Sequence, residues 1–133
     1  MKELEKSVLE HLRERRWDEL RPGDIAKSIM IEGAELLELF QWANPELADV
    51  KKNAKLKEEI GKELADVMIY ALEMSVLLGF DTEKIVRDKL ALAGKKYPAA
   101  LMRKMKESGG EPGTEAAYYK IKRAYRAKEA RKK

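Results

Sequence analysis

Two segments with helical periodicity each carry a pair of acidic residues one turn apart. The pairs are Glu32 with Glu35, and Glu63 with Asp66. Residues three positions apart on a helix face nearly the same side, so each pair can offer two carboxylates to one ligand. If the two helices pack together, four carboxylates converge. Because burying an unpaired carboxylate is costly, such a group needs positive charge, and a hard divalent cation with oxygen ligands would supply it.

The apolar pattern indicates which side of each helix is buried. At about 100° per residue from Ile25, one narrow sector of the first segment holds Ile29, Glu32, Leu36, Phe40 and Ala43. The apolar stripe of the second segment holds Leu56, Ile60, Leu64, Val67, Ala71, Met74 and Leu78, with Glu59, Glu63, Asp66 and Tyr70 beside it. The pattern therefore predicts that Glu32 lies within a buried stripe.

Other interpretations of the acidic pairs remain open at this point. An ordinary solvated face is one of them, because 39% of the residues are charged. A di-iron carboxylate site is disfavoured, since it needs Glu-x-x-His from two helices and the only histidine, His11, follows no acid at that spacing. The absence of cysteine excludes disulfides, thiolate zinc sites and a cysteine nucleophile.

Helical periodicity dominates the chain, and no segment shows the alternation of a β-strand. We expect an all-α four-helix bundle. The first helix should run to about Glu19, and Asp24 should cap a second helix from Ile25 to about Trp42. A turn around residues 45–50 should lead to a third helix over about residues 54–78, with Gly79 directly after its end, and to a fourth that is capped by Asp81 or Thr82 and ends at Lys96.

Composition and charge indicate how the chain is organised. We expect a helical domain over residues 1–108, a linker over 109–113 and a basic, helical C-terminal tail over 114–133. Residues 118–133 carry eight Lys or Arg against one Glu, which leaves the rest of the chain net negative. No apolar run approaches the roughly 20 residues that span a bilayer, and the start of the chain lacks the apolar core of a signal peptide. We therefore expect a cytoplasmic protein with no membrane partner.

Several motifs occur together in a specific order. The stretch from Ile25 to Trp42 contains Glu-Gly-Ala-Glu and ends in Phe-Gln-Trp, and it is followed by Glu63-Leu-Ala-Asp66 and by Lys96-Tyr-Pro98. This combination, within residues 13–98, resembles the all-α MazG-like nucleotide pyrophosphohydrolases, and among them the dCTP pyrophosphatase branch.

The resemblance implies hydrolysis of a nucleoside triphosphate to the monophosphate and pyrophosphate, as house-cleaning of the nucleotide pool. It also implies a Mg²⁺ cofactor, for which Mn²⁺ could substitute. By position, the metal ligands would be Glu32, Glu35, Glu63 and Asp66. Glu35 and Glu63 are the expected catalytic carboxylates, and Glu35 is our candidate for the base that activates water.

The resemblance also identifies candidate substrate contacts. These are Trp17, Arg21, Trp42, Tyr70, Lys89, Lys96 and Tyr97. For the two tryptophans, packing in the core is an equally good interpretation, and most helical lysines are simply solvated. Two departures from the family pattern affect nucleotide recognition. Ala93 stands where the family usually has Asn, and the segment from Trp17 to Pro22 lacks the expected His, which Arg21 could partly replace. A preference for dCTP is therefore not implied.

We expect self-association as a dimer or tetramer, because short helices leave apolar residues such as Val76 and Leu90 to be covered, and because the family suggests it. The alternative function is a non-catalytic helical module that uses its basic tail to bind nucleic acid or an acidic partner. A tail of this composition is more often a solvated extension, so a nucleic-acid partner is not expected.

Overall fold

The computed structural model describes residues 1–107 and 115–131, with side chains for 1–104 and 119–131. These residues form seven α-helices and no strand, so the all-α prediction is confirmed, but the helices outnumber the four expected. The helices are α1 (Lys2–Glu14), α2 (Pro22–Glu38), α3 (Leu47–Lys52), α4 (Ala54–Leu77), α5 (Thr82–Lys96), α6 (Ala99–Glu107) and α7 (Glu115–Ala130). None of the helices in this part of the chain is long and apolar enough to cross a lipid bilayer.

The contacts divide the chain into two compact units, Met1–Glu83 and Lys84–Lys133. In the first unit, α4 packs against α1, α2 and α3, and its contact with α2 is the most extensive. The second unit holds most of α5 together with α6 and α7, and α7 lies in the segment predicted as a basic helical extension. The predicted linker at 109–113 lies outside the described residues. The division into residues 1–108 and 114–133 therefore stays a prediction.

Several predicted helix boundaries were wrong. Helix α1 ends at Glu14 rather than near Glu19, because Arg16 adopts a left-handed backbone conformation with a φ of 56°. The Arg16 and Trp17 N–H groups donate to the carbonyls of Arg13 and Leu12, which is the Schellman pattern that ends a helix. The sequence gives no signal for it, since glycine is the usual residue at that position.

Helix α2 begins earlier and ends earlier than the pattern predicts. Pro22 occupies the first turn, where its fixed φ and missing N–H fit, so Arg21 rather than Asp24 is the N-cap residue. Asp24 instead accepts a hydrogen bond from Lys27 Nζ at 2.9 Å. The helix ends at Glu38, before Trp42, and the predicted turn over residues 45–50 is largely the short helix α3.

Helix α4 is fixed at both ends by local hydrogen bonds. The side chain of Asn53 accepts from the N–H of Leu56 at 3.0 Å, which satisfies one of the free donors of the first turn. At the other end, Gly79 has a φ of 69°, and the N–H groups of Gly79 and Phe80 donate to the carbonyls of Val76 and Ser75. This is a second Schellman motif, and it confirms the predicted role of Gly79.

The buried core of the first unit is small and lies between α1 and the C-terminal half of α4. Val8, Leu12 and Leu72 form one buried cluster. The predicted stripe of α4 was wrong in part, because Leu64 and Leu78 are 45% and 46% exposed. The most buried residues of α4 are instead Leu72, Glu73 and Ser75, which lie where α1 covers the helix.

We predict that Gly79→Ala lowers the free energy of unfolding by about 1 kcal/mol, the usual cost of placing a Cβ in the left-handed region. No heavy atom would lie within 4 Å of the added Cβ, so the cost is conformational rather than steric. Gly61→Ala is the matched control, because Gly61 lies inside α4 with equally open space and a helical backbone. The control should gain roughly 0.5 to 1 kcal/mol. Urea unfolding measures both, and equal shifts in the two variants would contradict the assignment.

Candidate metal centre and nucleotide site

Three carboxylates from two helices meet where α2 packs against α4. Glu32 projects from α2, and Glu63 and Asp66 project from α4. One oxygen of each carboxylate lies within 4.8 Å of the others. Glu32 and Glu63 are partly buried and Asp66 is exposed, so the group lies at the edge of the helix interface.

The arrangement fits a hard divalent cation. Two oxygens bound to one ion lie at most about 4.2 Å apart for Mg²⁺ and about 5 Å apart for Ca²⁺. The three ligand oxygens lie within 4.8 Å of one another, so they are close enough for Ca²⁺ as they stand and for Mg²⁺ after a small side-chain adjustment. The ligand atoms are all carboxylate oxygens, which suit Mg²⁺, Mn²⁺ or Ca²⁺ better than softer metals. Partial burial of Glu32 and Glu63 also argues against a purely solvated acidic face.

The charges around the three carboxylates also favour a bound cation. Partial burial raises the pKa of Glu32, and the negative charges of Glu35, Asp66 and Glu63 raise it further. Within the described residues, none of the three clustered carboxylates forms an ion pair with a lysine or an arginine. The protein therefore brings negative charges together without neutralising them, and a bound cation would do so.

Glu35, the fourth predicted ligand, lies outside this group of three. It is exposed on α2, yet its charge is close enough to raise the pKa of Glu32. Its assignment as a metal ligand and as the base that activates water therefore stays a prediction.

The predicted base and sugar contacts of the first unit are accessible to a ligand. Trp17 is 48% exposed and Trp42 is 89% exposed, so packing in the core explains neither indole within the chain. The ring of Trp17 lies edge-on to the ring of His11, with 6.2 Å between the centroids. Arg21 is exposed at the start of α2, and Tyr70 lies partly buried one turn beyond Asp66.

The remaining predicted contacts lie together in the second unit. Lys89, Lys96 and Tyr97 line a cavity of about 200 Å³. Lys96 Nζ lies 5.2 Å from the centre of the Tyr97 ring and 5.1 Å from that of Tyr125, which fits cation–π contacts with both rings. Tyr125 also lines this cavity and was not among the predicted contacts, because the resemblance covers only residues 13–98. Ala93, one of the departures from the family pattern, lines the same cavity.

Fold and site together define an all-α protein with three carboxylates grouped between two packed helices. The sequence profile of the MazG-like family matches residues 27–111. The chain belongs to the MazG-like family.

The curated relatives match parts of the chain that differ in length. The dCTP pyrophosphatase 1 of Rattus norvegicus is 28% identical over 109 residues, which cover 77% of this chain and 62% of the relative. Its namesake in Homo sapiens gives the same figures. The dATP/dGTP diphosphohydrolase of Cyanophage S-2L is 38% identical over 69 residues, which cover 41% of this chain and 66% of that protein. The chain thus spans about three fifths of the length of the first of these relatives.

One solved structure is similar to this chain over most of the length of both proteins. It is a pyrophosphatase from Archaeoglobus fulgidus, with a TM-score of 0.64 and 34% sequence identity. The match covers 74% of this chain and 92% of that one.

We predict that Glu32→Gln stabilises the cation-free protein at neutral pH. The folded state holds the pKa of Glu32 above its ordinary value of 4.5, so in the pH range just above 4.5 the folded state binds more protons than the unfolded state. The free energy of unfolding therefore falls as the pH rises through that range. In Glu32→Gln, which cannot ionise at this position, the free energy of unfolding should decrease less over the same pH range. Thermal unfolding of both proteins in a chelator at several pH values measures the difference.

The same variant should respond less to Mg²⁺. At a free Mg²⁺ concentration of about a hundred times the Kd, binding should add roughly 2.7 kcal/mol to the free energy of unfolding of the wild type. Glu38→Gln, at the exposed end of α2, is the matched control and should behave as the wild type does. An equal response to Mg²⁺ in all three proteins would show that the ion binds elsewhere.

Proposed function

We propose that this protein is a divalent-cation-dependent nucleoside triphosphate pyrophosphohydrolase. It would release pyrophosphate and the nucleoside monophosphate, as house-cleaning of the cytoplasmic nucleotide pool. The convergence of Glu32, Glu63 and Asp66 is the observation that carries the proposal. The relatives named dCTP pyrophosphatase 1 and dATP/dGTP diphosphohydrolase, and the similar solved structure named a pyrophosphatase, support it.

The three clustered carboxylates would hold Mg²⁺, or Mn²⁺ in its place. When bound, the cation would neutralise the triphosphate and make the α-phosphorus more electrophilic. Glu35 lies one turn from Glu32 on α2. As the resemblance implies, it would be a fourth ligand and the base that accepts the proton of the attacking water. Glu63, one of the three clustered carboxylates, would be the second catalytic carboxylate beside Glu35.

The remaining predicted contacts would bind the rest of the nucleotide. Trp17, Trp42 and Tyr70 would stack on or enclose the base and sugar, and Arg21 would add a donor at the start of α2. Lys89, Lys96 and Tyr97 line a cavity of the second unit and stay predicted contacts to the substrate. The relatives are named for pyrimidine and for purine substrates, so the proposal extends to deoxynucleoside triphosphates as a class.

We also propose that the protein assembles with copies of itself, as a dimer or tetramer. On α2, Met30 and Leu37 are 71% and 68% exposed, and they share one face because they are seven residues apart. Exposed apolar faces of this kind usually mark an interface, and few buried apolar residues support the first unit alone.

Replacing both residues by lysine should lower the molar mass in light scattering to that of one chain. Glu38→Lys on the same helix is the matched control and should keep the assembled mass. A wild-type mass of one chain would contradict self-association.

The central prediction concerns Asp66→Asn, which keeps the shape of the side chain but removes a charged ligand. Pyrophosphate release from deoxynucleoside triphosphates with Mg²⁺ should fall by about a hundredfold or more, since losing even a supporting contact of a metal site costs 10- to 100-fold. Circular dichroism should show unchanged helicity.

Glu58→Gln is the matched control, because Glu58 lies on the exposed side of α4 and pairs with Lys62 at 2.7 Å. It should keep full activity. Normal turnover in Asp66→Asn would exclude this site. Absence of hydrolysis by the wild type, together with salt-sensitive binding of nucleic acid, would favour the alternative of a binding module based on the tail.

A further inference from the structure

The cavity in the second unit is lined partly by a residue from outside the family pattern. It lies between α5 and α7, has a volume of about 200 Å³ and includes Lys89, Lys96, Tyr97 and Tyr125 in its lining. The first three are predicted substrate contacts, whereas Tyr125 lies on α7, beyond the residues 27–111 that match the family profile. Helix α7 thus adds an aromatic side chain that neither the resemblance nor the profile supplies.

Lys96 is the residue of this cavity that both aromatic rings contact. Its Nζ lies 5.2 Å from the centre of the Tyr97 ring and 5.1 Å from that of the Tyr125 ring, and both distances are within the range of a cation–π contact. Lys96 is partly buried, whereas Lys95 beside it is exposed. Most lysines on helices are solvated and adopt many rotamers, so two ring contacts restrict Lys96 in a way that is unusual for its type.

The positive charge of Lys96 is not neutralised by any carboxylate within the described residues. Neither Lys96 nor Lys89 forms an ion pair there, whereas Lys84 on the same helix pairs with Asp88. An aromatic ring attracts an ammonium group without neutralising it, because the ring carries no net charge. The two rings therefore hold Lys96 in place and leave its charge available to an anion. Pockets for drug-sized ligands usually start at about 300 Å³, so this cavity suits a phosphate group rather than a whole nucleotide.

We propose that Tyr125 is a positioning residue, which holds the ammonium group of Lys96 where it binds phosphate oxygens of the substrate. The choice of a substrate phosphate rests on the proposed function. Tyr125 acts through Lys96, and it does so by its ring rather than by its hydroxyl group. Ile121, one turn before Tyr125, is also partly buried, so α7 packs by the side that carries this ring. Helix α7 is then part of the substrate-binding machinery rather than a solvated extension.

Inorganic pyrophosphate, added to the full chain in a chelator, tests this without hydrolysis and without the metal centre. An NMR titration that follows the ε-methylene protons of Lys96 gives the Kd. Tyr125→Leu should weaken pyrophosphate binding by about three- to tenfold, the loss expected when a partly buried cation–π contact is removed. Tyr125→Phe keeps the ring and should bind as the wild type does. The ring-current shift of the same Lys96 protons should shrink in Tyr125→Leu and persist in Tyr125→Phe.

Tyr119→Leu is the matched control. Tyr119 is exposed on the same helix, its ring lies 5.8 Å from Lys122 Nζ, and it does not line the cavity. The control should leave the affinity for pyrophosphate unchanged. Lys96→Met should weaken binding at least as much as Tyr125→Leu. The double variant should bind no more weakly than Lys96→Met alone, because Tyr125 has no effect once Lys96 is gone.

Turnover of deoxynucleoside triphosphates provides a second readout. Tyr125→Leu should raise KM by about the same factor as the Kd and leave kcat nearly unchanged, as expected when a contact made equally in the ground and transition states is lost. Hydrolysis with an unchanged KM in Tyr125→Leu overturns this inference alone. Absence of hydrolysis by the wild type, together with the expected changes in pyrophosphate affinity, overturns the proposed function and leaves Tyr125 as the residue that positions Lys96 for a phosphate.

Four outcomes of the pyrophosphate titration would overturn the inference. They are no binding by the wild type, an unchanged affinity in Tyr125→Leu, an equal loss in Tyr125→Phe, and an additive loss in the double variant. If circular dichroism shows that Tyr125→Leu does not fold, the wild type decides. Its Lys96 protons must show a ring-current shift and must respond to pyrophosphate, and failure of either contradicts the assignment.

Discussion

The mutual repulsion of Glu32, Glu63 and Asp66, whose carboxylate oxygens lie within 4.8 Å of one another, has to be overcome by packing between α2 and α4. This helix pair makes the most extensive contact in the first unit, although its apolar residues are only partly buried. The cation-free protein therefore holds charges together at a cost in stability. A bound cation would neutralise this repulsion, so binding of the ion and stability of the helix pair are linked.

Helix α4 is the element that makes this geometry possible. The Asn53 cap and the Schellman motif at Gly79 fix its two ends, so its 24 residues keep one register along their length. That register places Glu63, Asp66, Tyr70 and Glu73 along one side of the helix. The N-terminal half faces α2 and carries the candidate metal centre. The C-terminal half faces α1 and carries the core cluster.

Local features of the sequence predicted the parts of the structure that local physics determines. The three-residue spacing of the acids indicated shared faces, and Gly79 ended α4 as expected because only glycine adopts its backbone conformation without strain. Features that depend on neighbouring elements were missed. Arg16 ends α1 by the same motif without glycine, and the burial of Glu73 depends on where α1 crosses α4, which periodicity does not reveal. Tyr125 lines the cavity of Lys89 and Lys96 only because α7 packs against α5, which the sequence pattern does not reveal.

The most direct test of the candidate metal centre is a crystal structure of the protein grown with Mn²⁺, analysed by anomalous diffraction at the manganese edge. The expected result is an anomalous peak between α2 and α4, bonded to carboxylate oxygens of Glu32, Glu63 and Asp66 at about 2.0 to 2.3 Å. A map in which Mn²⁺ binds elsewhere, or in which these carboxylates turn away from one another to pair with lysines, would contradict the assignment of the metal centre.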